Sequence, residues 1–578
     1  MMNNYLPKNM LEQEYRYESV NYQLYNHLNK INPYSNLKKI LSDLVKKQEI
    51  QLFILKQTAL FFGIRLHMTS LKTDKDQNFQ ATVKELYDRE FQLLQEYLSY
   101  LIYFLPKQLQ KETSLIELFD IQQSQVNTLN ELMRTVSKQE SEKEQTYILE
   151  KDYLLEKGYR LEKLAANLTF PIDITFDEEG YIYILEAGFA YGAKPGEGRI
   201  LKLERDGTLS EVADGFLGPA TGITYYNGYF YLAEGGRGNT KGIGCGRILK
   251  VSKDGNKVAI VSGLRSCGDH FTGDVRFGPD GKLYFTVGTA TNTAVVGTDN
   301  TPWLKIHPGF HDLPARDLEL RGKNFISHNP LSGEPDLAVT GAYKRFNVSS
   351  YNGEKIQGEL MANGVIYSCN PDGSDLKVVA DGFRNPFGLR FSPFNGKMYV
   401  TDNNTDDRGS RPVYHDWDNF WEVTPNGWHG WPDFFSGLPA TLPHFHVDGK
   451  NKPTFVLNKH PGLTSQPVTR FKPSSSSDKF DFSTNHDFGH VGEAFVAQLG
   501  NMGREAQSGF KVVRVNLETG QIRDFLVNPL GEDMKNGPIR PVAATFSPDG
   551  KILCVVDFGL LAGKDRHNTG ALWRIVKA

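Results

Sequence analysis

The sequence predicts a multidomain α + all-β chain, an N-terminal antiparallel helical bundle followed by a six-bladed β-propeller. Three observations predict it. The apolar residues recur with a period near 3.6 over 1–140 and near 2 after residue 160. A strand–turn–strand unit recurs six times in the second region. At 578 residues the chain exceeds one ordinary domain, and 55 glycines with 12% aromatic residues suit a turn-rich β protein.

The helical region comes first. "NLKKILSDLVKKQEIQLFILKQTALFF" (36–62) puts Ile40, Leu44, Leu52 and Leu55 roughly on one face. "ATVKELYDREFQLLQEYLSYLIYFL" (81–105) does the same with Leu86, Phe91, Leu94, Tyr97 and Leu98. Further helical stretches run at about 10–29 and 113–138, with Pro33 and Pro106 in the breaks. Four amphipathic helices with short loops predict an up-down bundle over 1–140. A di-metal bundle would need a Glu-x-x-His motif on each of two helices, whereas His27 and His67 lie alone. The expected role is therefore packing or docking, with oligomerisation or surface attachment as its use. The charged run at 137–158 reads as a linker or connecting helix over 141–160.

From 161 to 578 the repeats follow one another: "PIDITFDEEGYIYILEAG" (171–188), "ATGITYYNGYFYLAEGG" (220–236), "TGDVRFGPDGKLYFTVG" (272–288), "PFGLRFSPFNGKMYVTDN" (386–403), "HVGEAFVAQLG" (490–500) and "PVAATFSPDGKILCVVDFG" (541–559). Each is strand, tight turn, strand, then a further strand such as "GRILKLERDG" or "GRILKVSKDG". No unit can bury both faces alone, so six stacked around an axis predict a propeller. Insertions interrupt it at about 289–360 and 433–487, and the serine run at 474–477 reads as a flexible loop.

Composition excludes several function classes. A net charge of −3 with no basic excess argues against nucleic acid. No apolar run is long enough to span a bilayer, and the N-terminus lacks a secretory pattern, so the default compartment is the cytoplasm. Cell-envelope or spore-layer association through the bundle is the alternative. Cys245, Cys267, Cys369 and Cys554 show no CxxC spacing. Cys245 and Cys267 are the pair an oxidising compartment would join; reduced thiols are the default.

Laid on the turn aromatics Phe277, Phe391 and Phe546, three repeats bring His270, Arg384 and Arg540 to equivalent places, six or seven residues upstream. These positions lie on one rim of the central channel and converge on a pocket. One imidazole and two guanidiniums suit an anionic, planar ligand, with His270 as a proton acceptor and Asp269 fixing its tautomer. The plain alternative is a satisfied structural histidine and arginines that tie blades together through carbonyls.

The motifs "GDHFTGDVRFGPDGKLYFTVG", "GFRNPFGLRFSPFNGKMYVTDNNTDDRG", "NGWHGWPDF" and "GHVGEAFVAQLGN…GFKVVRVNLETG" resemble the glucose/sorbosone dehydrogenase family over about 160–578. Those are soluble quinoprotein aldose dehydrogenases on a six-bladed propeller. The resemblance implies pyrroloquinoline quinone (PQQ) as cofactor with calcium, and as partners a small-molecule sugar or polyol and an electron acceptor. It implies that His270 is the general base, that Arg384 and Asn385 contact the quinone, that Arg504 polarises it, and that Arg540 binds a cofactor carboxylate. In "TDNNTDDRGS" (401–410) the calcium oxygens would come from Asn403, Asn404 and Asp406; Asp406 and Asp407 also read as an ordinary acidic turn. Trp428 and Trp431 read either as a stacking wall or as inter-blade core. The pair His444 and His446, and the cluster His486, Asp487 and His490, are candidate metal groups that such short spacings usually produce by chance.

Two other functions stand beside the oxidoreductase. One is a non-catalytic binding or structural propeller that has lost the cofactor and is anchored by its bundle. The other is a lactonase-type hydrolase, which needs several carboxylates aimed into the channel.

Overall fold

The computed structural model describes residues 153–578 except 189–196, 236–244, 448, 502–506 and 562–565, together with Tyr25, Ser42 and Leu44–Gln48. The chain divides into two units, Met1–Tyr147 and Ile148–Ala578. The described residues are nearly all β and form a six-bladed propeller, which corrects the α + all-β expectation. Helical structure is confined to short pieces, among them the single turn Thr301–Leu304, and no helical bundle is present among the described residues. The stretches behind that expectation lie outside them, apart from the turn at Leu44–Gln48. No helix among the described residues is long and apolar enough to cross a membrane.

Six sheets make the blades, each running outward from the channel. The innermost strands are Pro171–Phe176, Ala220–Tyr226, Thr272–Phe277, Pro386–Phe391, Ser477–Phe482 and Pro541–Phe546. Each touches the next around the ring, and the sixth touches the first. The ring closes through chain-distant strands. Tyr159–Leu168 pairs with Gly570–Lys577 and completes the sixth blade, and Leu154–Leu155 adds an outer strand to the fifth. Part of the charged stretch read as a linker over 141–160 is therefore strand. Closure of this kind removes the open edges that a row of stacked sheets would leave.

The fifth blade departs from the sequence reading in one more way. Its innermost strand is Ser477–Phe482, so the serine run read as a flexible loop leads into the channel wall. Ser475 and Ser477 are buried, and Asp418 accepts hydrogen bonds from the Ser475 hydroxyl (2.7 Å) and the Ser477 amide (2.8 Å).

The innermost strands share a bulge within their first residues. A bulge sets two residues against one and re-aims a side chain. The residue after it points into a common layer: Asp173, Gly222, Asp274, Gly388, Lys479 and Ala543. Three cations, Arg276, Arg390 and Lys479, and three carboxylates, Asp173, Asp274 and Asp481, fill this part of the channel with ion pairs. Asp173 also accepts from the Ile223 amide, Asp274 from Leu389 and Asp481 from Phe546, each in a neighbouring blade. The two glycines make room for this. A Cβ at Gly222 would lie 3.0 Å from the Asp274 carboxylate.

The first insertion, and the second as far as about 468, add structure outside the blade sheets. The first carries the ribbons Leu318–Arg321 with Asn352–Ile356 and Asn324–His328 with Leu337–Gly341. It meets the second where the Arg321 amide donates to Val456 O (2.8 Å) and the Asn458 amide to Glu319 O (2.8 Å).

Candidate functional site

A pocket of about 560 Å³, counted to its open mouth, lies over the channel and takes lining residues from all six blades. Its floor follows from the bulges. The residue one place before the charged layer is Ile172, Thr221, Phe387, Asp478 or Val542, and each of these lines the pocket. The walls are unlike each other. Phe271, Phe387, Phe558, Leu499 and Leu561 give apolar surface, while Asn385, Asn403, Ser476 and Asp478 gather on the fourth and fifth blades.

His270 precedes the third innermost strand and is 6% exposed. Its Nδ1 is 2.9 Å from Thr289 O and 3.1 Å from Thr289 Oγ1, and that hydroxyl donates onward to Thr291 O. Beside a carbonyl oxygen Nδ1 must carry the proton, which leaves the lone pair on Nε2. His270 and Asn385 meet over Gly288. A methyl group there would collide with His270 Cβ and come 3.2 Å from Asn385 Oδ1. Thus the structure sets His270 beside a residue 115 positions away, while none of the three aligned residues His270, Arg384 and Arg540 lines the pocket.

The tautomer-fixing role expected of Asp269 belongs to Thr289. Asp269 turns away and accepts from Arg408 Nη2 at 2.8 Å and Asn300 Nδ2 at 3.3 Å. Burial pushes its carboxyl up, against the pull of Arg408.

Arg384 is buried beside the pocket. Nε and Nη2 both donate to Asn292 Oδ1 (3.1 and 2.9 Å), Nη1 donates to Asn403 O (3.2 Å), and Nη2 pairs with Asp406 (3.1 Å). Asn385 has its backbone amide on Asp402 (2.7 Å), and its side chain lines the pocket.

Arg540 requires a correction. Nε donates to Glu532 (2.8 Å), Nη1 to Leu499 O and Gly500 O, and Nη2 to Asn501 O, while the guanidinium lies over the Phe510 ring. These bonds tie the fifth blade to the sixth and commit the group expected to hold a cofactor carboxylate. Arg504 lies outside the described residues.

The three expected calcium residues differ from one another. Asn403 lines the pocket, donates from Nδ2 to Asp478 (3.1 Å), and keeps Oδ1 buried with no hydrogen bond. Asn404 is spent locally, its amide on Asp416 O and its backbone N–H on Asp418. Asp406 is exposed and shares Oδ2 between Arg384 and Arg408, so its carboxylate is paired with two guanidiniums. No group of three or more His, Cys, Asp or Glu side chains placed to hold a metal occurs among the described residues. His444 stacks on Trp417 at 3.9 Å, and His490 pairs with Glu156 at 2.8 Å, so neither belongs to a metal group. Trp428 and Trp431 are buried, with their indole N–H groups on Trp431 O and Asn292 O, which makes them inter-blade core. No disulfide joins any of the four cysteines, Cys245 and Cys267 included.

Sequence reasoning missed Asp478 and Thr289. Asp478 is 2% exposed and accepts from Asn403 Nδ2 and from Ser476 Oγ (3.3 Å) on Oδ1. Burial, with Asp418 nearby, pushes its carboxyl well above the usual carboxylate range. The signal was present: counted back from Phe482 as Phe387 is from Phe391, Asp478 falls on the pocket floor.

No family model matches the chain, and no curated protein does. Solved structures do. The chain is similar to the holo PQQ domain of pyranose dehydrogenase from Coprinopsis cinerea, at 16% identity and a TM-score of 0.47, over 73% of this chain and 97% of that one. It is similar to the soluble aldose sugar dehydrogenase of Escherichia coli in its apo form, at 13% identity and a TM-score of 0.44, over 73% of this chain and 100% of that one. A calcium structure of a Trichoderma reesei carbohydrate-active enzyme of family AA12 is similar at 16% identity and a TM-score of 0.44, over 75% of this chain and 100% of that one. At such identities the likeness is one of fold.

Proposed function

We propose that the chain is a PQQ-dependent oxidoreductase that oxidises a hydroxyl of a sugar or polyol, with His270 as general base. One observation carries the reading. A pocket at the channel mouth receives residues from all six blades, Asn385 of the "RNP" motif among them, and His270 of the "GDH" motif lies behind that wall, bordering Gly288 together with Asn385.

The pocket fits a planar, polar group. Phe271, Phe387 and Phe558 offer flat apolar faces, and Asn403 Oδ1 is a buried acceptor in want of a partner. Asn385 and Asn403, which line the pocket, would hold the quinone, with the Arg384 guanidinium behind them on Asn403 O. Calcium would take Asn403 Oδ1. Burial pushes the Asp478 carboxyl well above the usual carboxylate range, which favours its neutral form beside an anionic group. When bound, the quinone would supply the acceptor for a hydride, which carries both electrons of the oxidation. The protein's part is geometric and acid–base. Thr289 holds the imidazole ring as the Nδ1–H tautomer, and Nε2 takes the proton of the substrate hydroxyl. The apolar wall limits water at that step. A second partner, a small-molecule electron acceptor, would then reoxidise the cofactor.

The test adds PQQ and calcium to the full chain and follows bound-cofactor absorbance, then dye reduction over a panel of aldoses. Wild-type protein should bind and turn over. His270→Ala should keep the absorbance and lose at least ~100-fold in rate, the usual worth of a general base. A second reading, a binding propeller without cofactor, is favoured by the internal commitment of Arg540 and Arg384. It takes over if the wild-type chain shows neither absorbance nor dye reduction.

A further inference from the structure

Arg408 stands in the stretch read from sequence as a calcium loop, and the structure gives it a different task. Its guanidinium reaches three acids on three separate segments. Nη2 is 2.8 Å from Asp269, the residue before His270. Nη1 is 2.7 Å from Asp299, in the first insertion. Nε and Nη2 are both 3.1 Å from Asp406 of its own loop, which in turn pairs with Arg384 at 3.1 Å. The chain Asp269–Arg408–Asp406–Arg384 therefore runs from the backbone of the candidate base to the candidate cofactor arginine.

The surroundings are shaped for this hub. Asp299 sits between Gly297 and Gly409, where a Cβ would come 2.9 Å from its Oδ1 and 3.2 Å from its Oδ2 respectively. Gly409 also holds a left-handed backbone (φ +89°), so a side chain is unwelcome there twice over. Asn300, beside Asp299, donates to the second oxygen of Asp269. Asp269 and Asp299 are close to buried, and ionising both without Arg408 would be costly. One acid would suffice for a simple stabilising pair. Three acids from three segments fix three positions relative to one another.

We propose that Arg408 is a positioning residue for this pocket, holding the His270 loop, the first insertion and the fourth-blade loop in one register through Asp269, Asp299 and Asp406. The catalytic half of this proposal rests on the oxidoreductase reading; the structural half does not.

Hydrogen-exchange mass spectrometry on the full chain tests it, with Arg408→Gln and Arg408→Lys. In the Gln variant, peptides covering 266–272, 297–304 and 403–411 should lose protection together, by ~10-fold or more, while strands of the first and second blades keep theirs. The Lys variant, which pairs one or two acids, should recover part of it. With quinone and aldose, the Gln variant should lose ~10-fold in kcat with KM within ~3-fold, because positioning of the base is felt in the reacting state. Loosening confined to 403–411, or no loosening, overturns the proposal, as does an unchanged kcat in a chain that has lost protection at all three segments. If the wild-type chain shows no turnover, the oxidoreductase reading falls, and the exchange pattern alone decides for or against the three-way tie.

Discussion

Replacing Lys479 by Met puts the channel's charge balance to the test. Lys479 is fully buried, with Nζ 2.8 Å from Asp274 and 3.4 Å from Asp173, which are themselves fully buried. The cluster holds three cations and three carboxylates, so the variant leaves it with one negative charge in excess. Breaking one partner out of a buried ion pair costs ~3–5 kcal/mol, because the remaining charge has lost water and gained nothing. The lower end is expected here. Arg276 stays 2.8 Å from Asp173 and 3.0 Å from Asp274, and Arg390 stays 3.2 Å from Asp274. A loss of ~3 kcal/mol is a fall of ~150-fold in the folding equilibrium. The assay is urea unfolding followed by tryptophan fluorescence, comparing midpoints at unchanged slope. Adding Asp274→Asn to Lys479→Met should return at least ~1 kcal/mol by removing the surplus charge. A single variant that loses less than ~1 kcal/mol, or a double variant that is worse than the single, would refute the reasoning.

Three further outcomes follow from the same geometry. Arg540→Met should lower stability by ~2–4 kcal/mol, since the Leu499, Gly500 and Asn501 carbonyls lose their donor, yet leave PQQ absorbance at the wild-type level. Gly388→Ala should cost ~1–3 kcal/mol by urea midpoint, because its Cβ would press 2.5 Å from Asp478 O and 2.8 Å from Thr401 Oγ1. Burial pushes the Asp312 carboxyl up to about 7, so the folded chain holds a proton there that the unfolded chain releases near pH 4. Its contribution to stability therefore falls as pH rises from about 4 to about 7, and Asp312→Asn should flatten that part of the urea-midpoint profile.

The blades were legible where strand period, tight turn and turn aromatic coincide. The "GPDG" and "SPDG" turns announce the third and sixth blades, and the hydrophobic runs after them are the buried second strands Leu283–Val287 and Leu553–Asp557. The fifth blade was misread because its innermost strand, "SDKFDF", buries a lysine and two aspartates that composition assigns to a loop. Lys479 faces Asp173 and Asp274 of the first and third blades, Asp478 and Asp481 face the fourth and sixth, and such pairings leave no trace in the local period. The closing strand at Tyr159–Leu168 was hidden for a like reason. It belongs to a blade whose other strands come some 370 residues later or more.

The site shows the same division between what repeats and what is paired at a distance. His270, Arg384 and Arg540 were singled out because the rim position recurs from blade to blade; all three are buried just before innermost strands, and none lines the pocket. Their roles diverge according to what the neighbouring loop presents. Beside Arg540 it presents three backbone carbonyls and Glu532, so the guanidinium becomes a blade tie. Beside His270 it presents Thr289, whose carbonyl and hydroxyl face Nδ1, so that nitrogen is oriented by neutral acceptors. An imidazole held by neutral acceptors is a weaker base than one held by an anion, because no negative charge offsets the developing imidazolium. Thr289→Val keeps the carbonyl and removes the hydroxyl. It should preserve the tautomer and cost under ~10-fold in dye reduction, whereas a loss as large as that of His270→Ala would show that the hydroxyl, not the carbonyl, sets the ring.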